Sequence, residues 1–403
     1  MGWYDTLSLR GAIAAGLLSI TCSGGILFEA AVAAEGEPGR QGPVEPVIPV
    51  EDWPATLSPQ DDLLQEDETD AYKQLITAID YSLQYLDTPA AVTAYEAYPV
   101  AGITRDRVRQ SLLRFRALLL ISQSPEAFYE AVQREFVLYQ TIGYDGAGSV
   151  HFTGYFEPSF QASRTPTAEY RYPLYQRPPN LETWEQPHPT RVALEGEDGL
   201  QADQGPLQGL ELAWLRDRLE AFLVQVQGSA RLQLSDGTFM SVGYAGRTEY
   251  DYVSIGRELI NDGKIPESEL TLERLLAHFH TYPEELSVYL PRNDRFVFFR
   301  ETAGGPPTGT FSVPVTAGRS IATDKVLMPP GAIAMITLNW PQKDASGNWE
   351  AEPMSRYVLN QDTGGAIQGP GRVDIFVGSG DAAGEQAGQI NTDGHLFYLL
   401  LRP

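Results

Sequence analysis

Two aspartates, Asp362 and Asp374, stand twelve positions apart in the segment DTGGAIQGPGRVDIFVGSG, which ends at Gly380. Glycines and a proline break the backbone between them, and the second aspartate is framed by Val373 and Ile375. Side chains alternate faces along a strand, so Arg372, Asp374 and Phe376 would share one face and Val373, Ile375 and Val377 the other. In a closed barrel with a groove across its rim, burial and a second carboxylate would push the Asp374 pKa upward. A protonated aspartic acid can then hand a proton to a leaving oxygen. A strand aspartate that simply faces solvent is the plain alternative.

A second cluster lies in GYAGRTEYDYVSIGR, where Tyr244, Tyr250, Tyr252, Arg247 and Arg257 crowd together among glycines. Tyrosines stack on sugar faces and arginines hold carboxylates in a bidentate fork. Packing within its own domain is the competing reading. No metal or cofactor is expected. His278 and His280 are two apart and would diverge on a helix, and His151, His188 and His395 are isolated. The single cysteine, Cys22, lies near the N-terminus. GDAAGEQAG lacks the Lys-Ser/Thr of a phosphate loop and reads as a tight turn into a small-residue helix.

The elements that must position these groups belong to a chain of 403 residues, 42% hydrophobic, long enough for two domains or one large one. Its 29 Lys and Arg against 53 Asp and Glu give a formal charge of −24, which repels nucleic acid. A polyanionic substrate would have to be gripped locally by arginines. Residues 1–34 have the layout of an export signal: Arg10, an apolar run, then Ala31-Val32-Ala33 as a cleavage site that would discard Cys22. Ser19-Ile20-Thr21-Cys22 is the alternative, a lipid-attachment site, though without the usual leucine. Glu29 argues against a spanning helix.

Residues 35–68, acidic and proline-rich, read as a flexible linker. Residues 71–140 turn helical, with Val108, Leu112, Phe115 and Leu119 on one face. Ser124 and Pro125 open a further helix whose face would carry Phe128, Val132, Phe136 and Tyr139. After Gly143 short strands and turns take over. A helix is expected over 210–224, a hairpin at Asp236-Gly237, and short helices near 254–262 and 271–280. The tail offers the strands RFVFFR, FSVPVT, GAIAMITLNW, RYVLNQ, RVDIFVG and HLFYLLL, which should close as a barrel.

From His151 to the C-terminus, HFTGYFEP, VQGSARLQLSDGT, VGYAGRTEYDYVSIGR, GRSIATDKVLMPPGAI, QDTGGAIQGPGRVDIFVGSG and AGQINTDGHLFYLL follow one another in a specific order. In these motifs the chain resembles the membrane-bound lytic murein transglycosylase A family, whose C-terminal part is a three-aspartate domain. The resemblance implies a mainly β fold with an N-terminal helical segment: a double-psi β-barrel built from residues 69–162 and 294–403, and a smaller β-rich domain inserted over 163–293. A groove between the two would hold a glycan strand. The family's aspartates fall on Asp324, Asp362 and Asp374. Asp374 is the implied acid/base, Asp362 its tuning neighbour, and Asp324 a structural or groove residue.

The implied sugar-binding residues are Tyr155, Gln227, Gly228, Ser229, Tyr244, Arg257 and Asp324. Ala230 stands where the family commonly has glycine. The implied reaction cleaves the β-1,4 bond between N-acetylmuramic acid and N-acetylglucosamine in peptidoglycan and leaves a 1,6-anhydro end. It needs no cofactor or metal and a single chain suffices. The setting implied is the periplasm, free or attached to the outer membrane. A non-catalytic glycan binder and a hydrolytic glycosidase on the same barrel are the alternatives.

Overall fold

The computed structural model describes residues 45–50, 53–54, 57, 61, 63 and 70–403, apart from 203–204, 271, 303 and 366. The expected export signal lies outside the described residues.

The first described element is a strand, β1 (Val47–Val50), and four helices follow: α1 (Asp70–Leu86), α2 (Pro89–Glu96), α3 (Arg105–Ile121) and α4 (Pro125–Glu135). Thr88, Thr104 and Ser124 cap the last three, each side-chain oxygen accepting an orphan backbone N–H. The expected face of α3 is fully buried at Val108, Leu112, Phe115 and Leu119. The helix expected to run on through Phe136 and Tyr139 instead stops at Glu135. Residues Phe136–Thr141 form β2, which pairs with the C-terminal strand and buries Phe136 and Leu138 on one side. Strand pairing outweighs a helical spacing that this aromatic and aliphatic run also satisfies.

The flexible linker is corrected at its described positions. β1 pairs antiparallel with β2 from Val47↔Thr141 to Val50↔Leu138, and Val47, Leu57 and Leu63 are buried. Asp61 accepts two bonds from Arg319, at 2.6 and 2.8 Å, and both side chains are almost wholly buried. Averaged composition hides a few apolar residues and one charge that the barrel binds specifically.

The remaining strands are β3 (Val150–Glu157), β4 (Ser159–Ser163), β5 (Tyr172–Tyr175), β6 (Glu211–Leu215), β7 (Ser229–Leu234), β8 (Phe239–Arg247) and β9 (Val297–Thr302), then β10 (Ser320–Ala322), β11 (Ile333–Lys343), β12 (Trp349–Asp362), β13 (Arg372–Ser379) and β14 (Asn391–Leu401). The order β14-β11-β12-β10-β13-β3, with β3 pairing back to β14, closes a six-stranded barrel. Two of its pairings are parallel, β10 with β12 and β13 with β3, as in a double-psi barrel. Closure leaves no free edge within the ring. Val373, Ile375, Ile336 and Tyr398 fill its core, onto which the N-terminal helices pack.

The second sheet, β5-β6-β4-β7-β8-β9, has its own core around Phe222, Leu232, Val242 and Phe299. It spans Ser159 to Thr302, slightly wider than the expected insert. Short helices surround it: α5 (Arg191–Glu195), α6 (Arg218–Gln227), α7 (Ile255–Asn261), α8 (Leu272–Thr281) and α9 (Leu286–Tyr289). The helix expected over 210–224 is β6 followed by α6, because Asp217 caps the Leu219 N–H and starts the helix later. FSVPVT is turn structure with a single bridge, Thr308 to Pro314, consistent with a proline in the run. GDAAGEQAG does form a short helix, α10 (Asp381–Ala387). Among the described residues no helix is long and apolar enough to cross a membrane.

Candidate active site

Three adjacent barrel strands bring the two aspartates together. Ala322 of β10 lies opposite Asp362 of β12 on one side and opposite Asp374 of β13 on the other. Their backbones are thus two inter-strand spacings apart, roughly 10 Å. On the far side of β13, Asp374 lies opposite Thr153 of β3. Val373 and Ile375 point into the barrel core and Asp374 to the other face, as alternation requires.

The two carboxylates have different surroundings. Asp362 Oδ1 accepts the backbone N–H groups of Thr310 at 2.7 Å and Thr363 at 2.8 Å, and Oδ2 accepts the Tyr155 hydroxyl at 2.8 Å. Desolvation drives its pKa above the ordinary carboxylate value, against the opposing pull of those donors. Tyr155 is raised as well, by burial and by the nearby charges of Asp362 and Asp374. Asp374 takes its donors on Oδ1 alone: the Thr153 hydroxyl and, at 3.1 Å, Arg372 Nη2. Arg372 Nη2 also donates to Thr153 Oγ1 at 2.7 Å, which closes a three-member ring. Oδ2 receives no hydrogen bond from the described residues, and the side chain is 14% exposed at the groove.

The groove has a volume of about 440 Å³ and runs between the barrel rim and the second sheet. Tyr155, Asp324, Asp362 and Asp374 line it from the barrel, and Gln227, Gly228, Ser229 and Tyr244 from the other wall. Gly228 ends α6 in the left-handed region, φ 77°, and this turn sets Gln227 and Ser229 on the groove. Ala230 points into the second core and is fully buried, so its extra methyl group fills packing space there. Tyr244 is partly exposed on β8. Asp324 accepts the N–H of Val326 at 3.0 Å and of Gly369 at 2.9 Å, so it ties two rim loops together as well as lining the groove.

Arg257 is not among the groove-lining residues. It sits on α7, and its guanidinium bonds Glu267 at 2.7 Å on the surface. The motif that suggested it is continuous in sequence, but the helix turns it away from the groove. Thr153, Thr310 and Arg295 are site residues that the sequence reading does not single out. Thr153 carries a local signal, since it shares a strand face with Tyr155 two positions on. Thr310 and Arg295 reach the site from loops and carry no local signal. Among the described residues no three His, Cys, Asp or Glu side chains are grouped as metal ligands.

Such a site can protonate a leaving group from one oxygen of Asp374 while Thr153 and Arg372 hold the other. Residues 151–300 match the MltA specific insert domain and residues 319–400 the 3D domain. The chain is 31% identical over 267 residues to the membrane-bound lytic murein transglycosylase A of Escherichia coli K12, covering 66% of this chain and 69% of that one. A membrane-bound lytic murein transglycosylase from Agrobacterium tumefaciens superposes with a TM-score of 0.65 at 28% identity, over 82% of this chain and 93% of its own. E. coli MltA with bound chitohexaose shares the fold, with a TM-score of 0.64 at 24% identity over 91% of this chain and 100% of that one. By these matches, the chain belongs to the membrane-bound lytic murein transglycosylase A family.

Proposed function

We propose that this protein is a lytic transglycosylase of peptidoglycan, with Asp374 as its acid and then its base. The observation that carries the reading is the asymmetry of the two carboxylates: Asp362 has both oxygens capped by protein donors, and Asp374, which lines the groove, takes its donors on Oδ1 and leaves Oδ2 free of them. A hydrolase would need a second carboxylate to activate water or to act as nucleophile. Asp362, with both oxygens occupied, is poorly disposed for either task.

In the proposed reaction the Asp374 proton passes to the oxygen bridging N-acetylmuramic acid and N-acetylglucosamine as the C1–O bond breaks. The muramoyl ring takes on oxocarbenium character, and the new carboxylate is steadied by Thr153 and Arg372. It then takes the proton of the C6 hydroxyl of the same ring as O6 bonds to C1. The acid is restored and a 1,6-anhydro end is formed without water. Ring closure within one residue has a high effective molarity, so no base for water is required. The family name and the signal-like N-terminus support a setting in the cell envelope, exported.

Mass spectrometry of digested sacculi tests this. The purified protein should release 1,6-anhydromuropeptides, and Asp374→Asn should abolish release while its thermal unfolding stays close to the parent's. Reducing muramoyl ends would make the protein a hydrolase, and binding without soluble product would make it a glycan-binding protein. Either result refutes the proposal.

A further inference from the structure

The groove wall on the second sheet carries two guanidinium groups that the chemistry above does not use. Arg247, at the end of β8, donates from Nη1 to the carbonyls of Thr248 at 3.0 Å and Tyr250 at 3.2 Å. Arg295, just before β9, donates from Nε to the same Tyr250 carbonyl at 2.9 Å. Sharing one acceptor holds two like charges side by side, and burial together with the Arg247 charge lowers the Arg295 pKa. Both residues line the groove.

Neither has a carboxylate within 4.0 Å among the described residues, in a chain with 53 Asp and Glu. Asp251 is the acidic group whose charge Arg295 feels, and it is exposed. Neighbouring arginines are paired: Arg177 with Glu182, and Arg372 with Asp374. Across the groove, Arg295 presses on the loop that carries Asp362. A Cβ on Gly365 would stand 1.8 Å from Arg295 Nη1, so the guanidinium lies directly against this loop and would have to shift for any other residue there. Arg295 is half-buried beside the like charge of the exposed Arg247, with Asp251 beyond salt-bridge distance, and a bound carboxylate would offset that cost through charge-assisted, fork-shaped hydrogen bonds.

We propose that Arg247 and Arg295 form a carboxylate subsite for the acidic peptide carried by a muramoyl residue, so that peptide-bearing strands are preferred over bare glycan. This rests on the peptidoglycan reading above. A muramoyl unit can offer a carboxylate from its peptide or, when stripped, from its own lactyl group. A chitin-type sugar offers neither.

The test is isothermal titration of the full chain with three ligands that lack the cleavable bond. They are chitobiose, the disaccharide of N-acetylglucosamine β-1,4-linked to N-acetylmuramic acid without peptide, and that disaccharide with its peptide. The peptide-bearing ligand should bind at least about tenfold more tightly than chitobiose, with an advantage that shrinks as salt rises. Arg247→Gln and Arg295→Gln should each remove most of that advantage and leave chitobiose within about twofold. The proposal falls if the parent shows no preference, if both variants weaken all ligands equally, or if the peptide-free muramoyl disaccharide keeps the whole advantage. If Arg295→Gln does not fold, the more exposed Arg247→Gln decides alone. Because no ligand is cleaved, the result is independent of whether sacculi yield anhydro products.

Discussion

The Tyr155 hydroxyl donates to Asp362 Oδ2 across 207 positions of sequence, while its ring packs against Phe376 at 5.2 Å between centroids. The bond links β3 to β12 over the barrel rim, beside the strand that carries Asp374. Tyr155→Phe keeps the ring and removes the donor, which should cost about 1–3 kcal/mol of stability at neutral pH. The Asp362 pKa is already raised, and losing a donor raises it further. For a carboxyl raised on folding, the native state binds the extra proton, so stability falls as pH rises from the ordinary carboxylate value through the folded pKa. The variant's deficit should therefore be larger at about pH 7.5 than at about pH 4 in urea unfolding. An equal deficit at both would mean that the hydroxyl contributes nothing through Asp362.

Thr153 hydrogen-bonds both Asp374 and Arg372, so Thr153→Val should loosen the acid without emptying the space. We expect kcat to fall roughly ten- to a hundred-fold with KM within about twofold, since the bond acts mainly on the carboxylate formed in the reaction. Rates of anhydromuropeptide release would measure it. A raised KM with unchanged kcat would assign Thr153 to binding.

Glu220 on α6 is half-buried, its Oε2 is enclosed without a partner, and desolvation with the nearby Asp217 pushes its pKa up to about 7. Its charge therefore opposes folding above pH 7, and that penalty disappears as pH falls towards the ordinary glutamate value. Glu220→Gln should be more stable than the parent at pH 8, by on the order of 2–3 kcal/mol, and about equal at pH 4. Unfolding midpoints at the two pH values would show it. A variant less stable at pH 8 would point to a bonded, functional carboxylate.

Arg319 and Asp61 are an almost fully buried pair joining the acidic N-terminal stretch to the barrel. Asp61 also accepts the Tyr357 N–H at 3.0 Å. Arg319→Met should destabilise by about 3–5 kcal/mol, because it strands a buried carboxylate. The double variant Arg319→Met/Asp61→Asn should recover part of the loss in denaturant unfolding. No recovery would mean that the arginine acts by packing alone.

The sequence by itself determined the face alternation of the strand carrying Asp374 and the local helix caps, because these depend on near neighbours, but it misplaced β2, β6 and FSVPVT. Alternation at 372–377 put Asp374 opposite the core-facing Val373 and Ile375, and Ser124 and Thr104 cap their helices as local chemistry dictates. It also carried the ordered motifs from which the barrel and the family follow. Only the tertiary structure decided which groups share the groove. Asp362 and Asp374 meet through Ala322, a residue with no chemistry, because β10 pairs with β12 and β13 at once. Arg257 is turned away by its helix, and Arg295, read only as the start of the strand RFVFFR, is carried to Gly365 on the opposite wall. Local spacing fixes the direction in which a side chain points, whereas closing a barrel and folding an insert over its rim fixes what it meets.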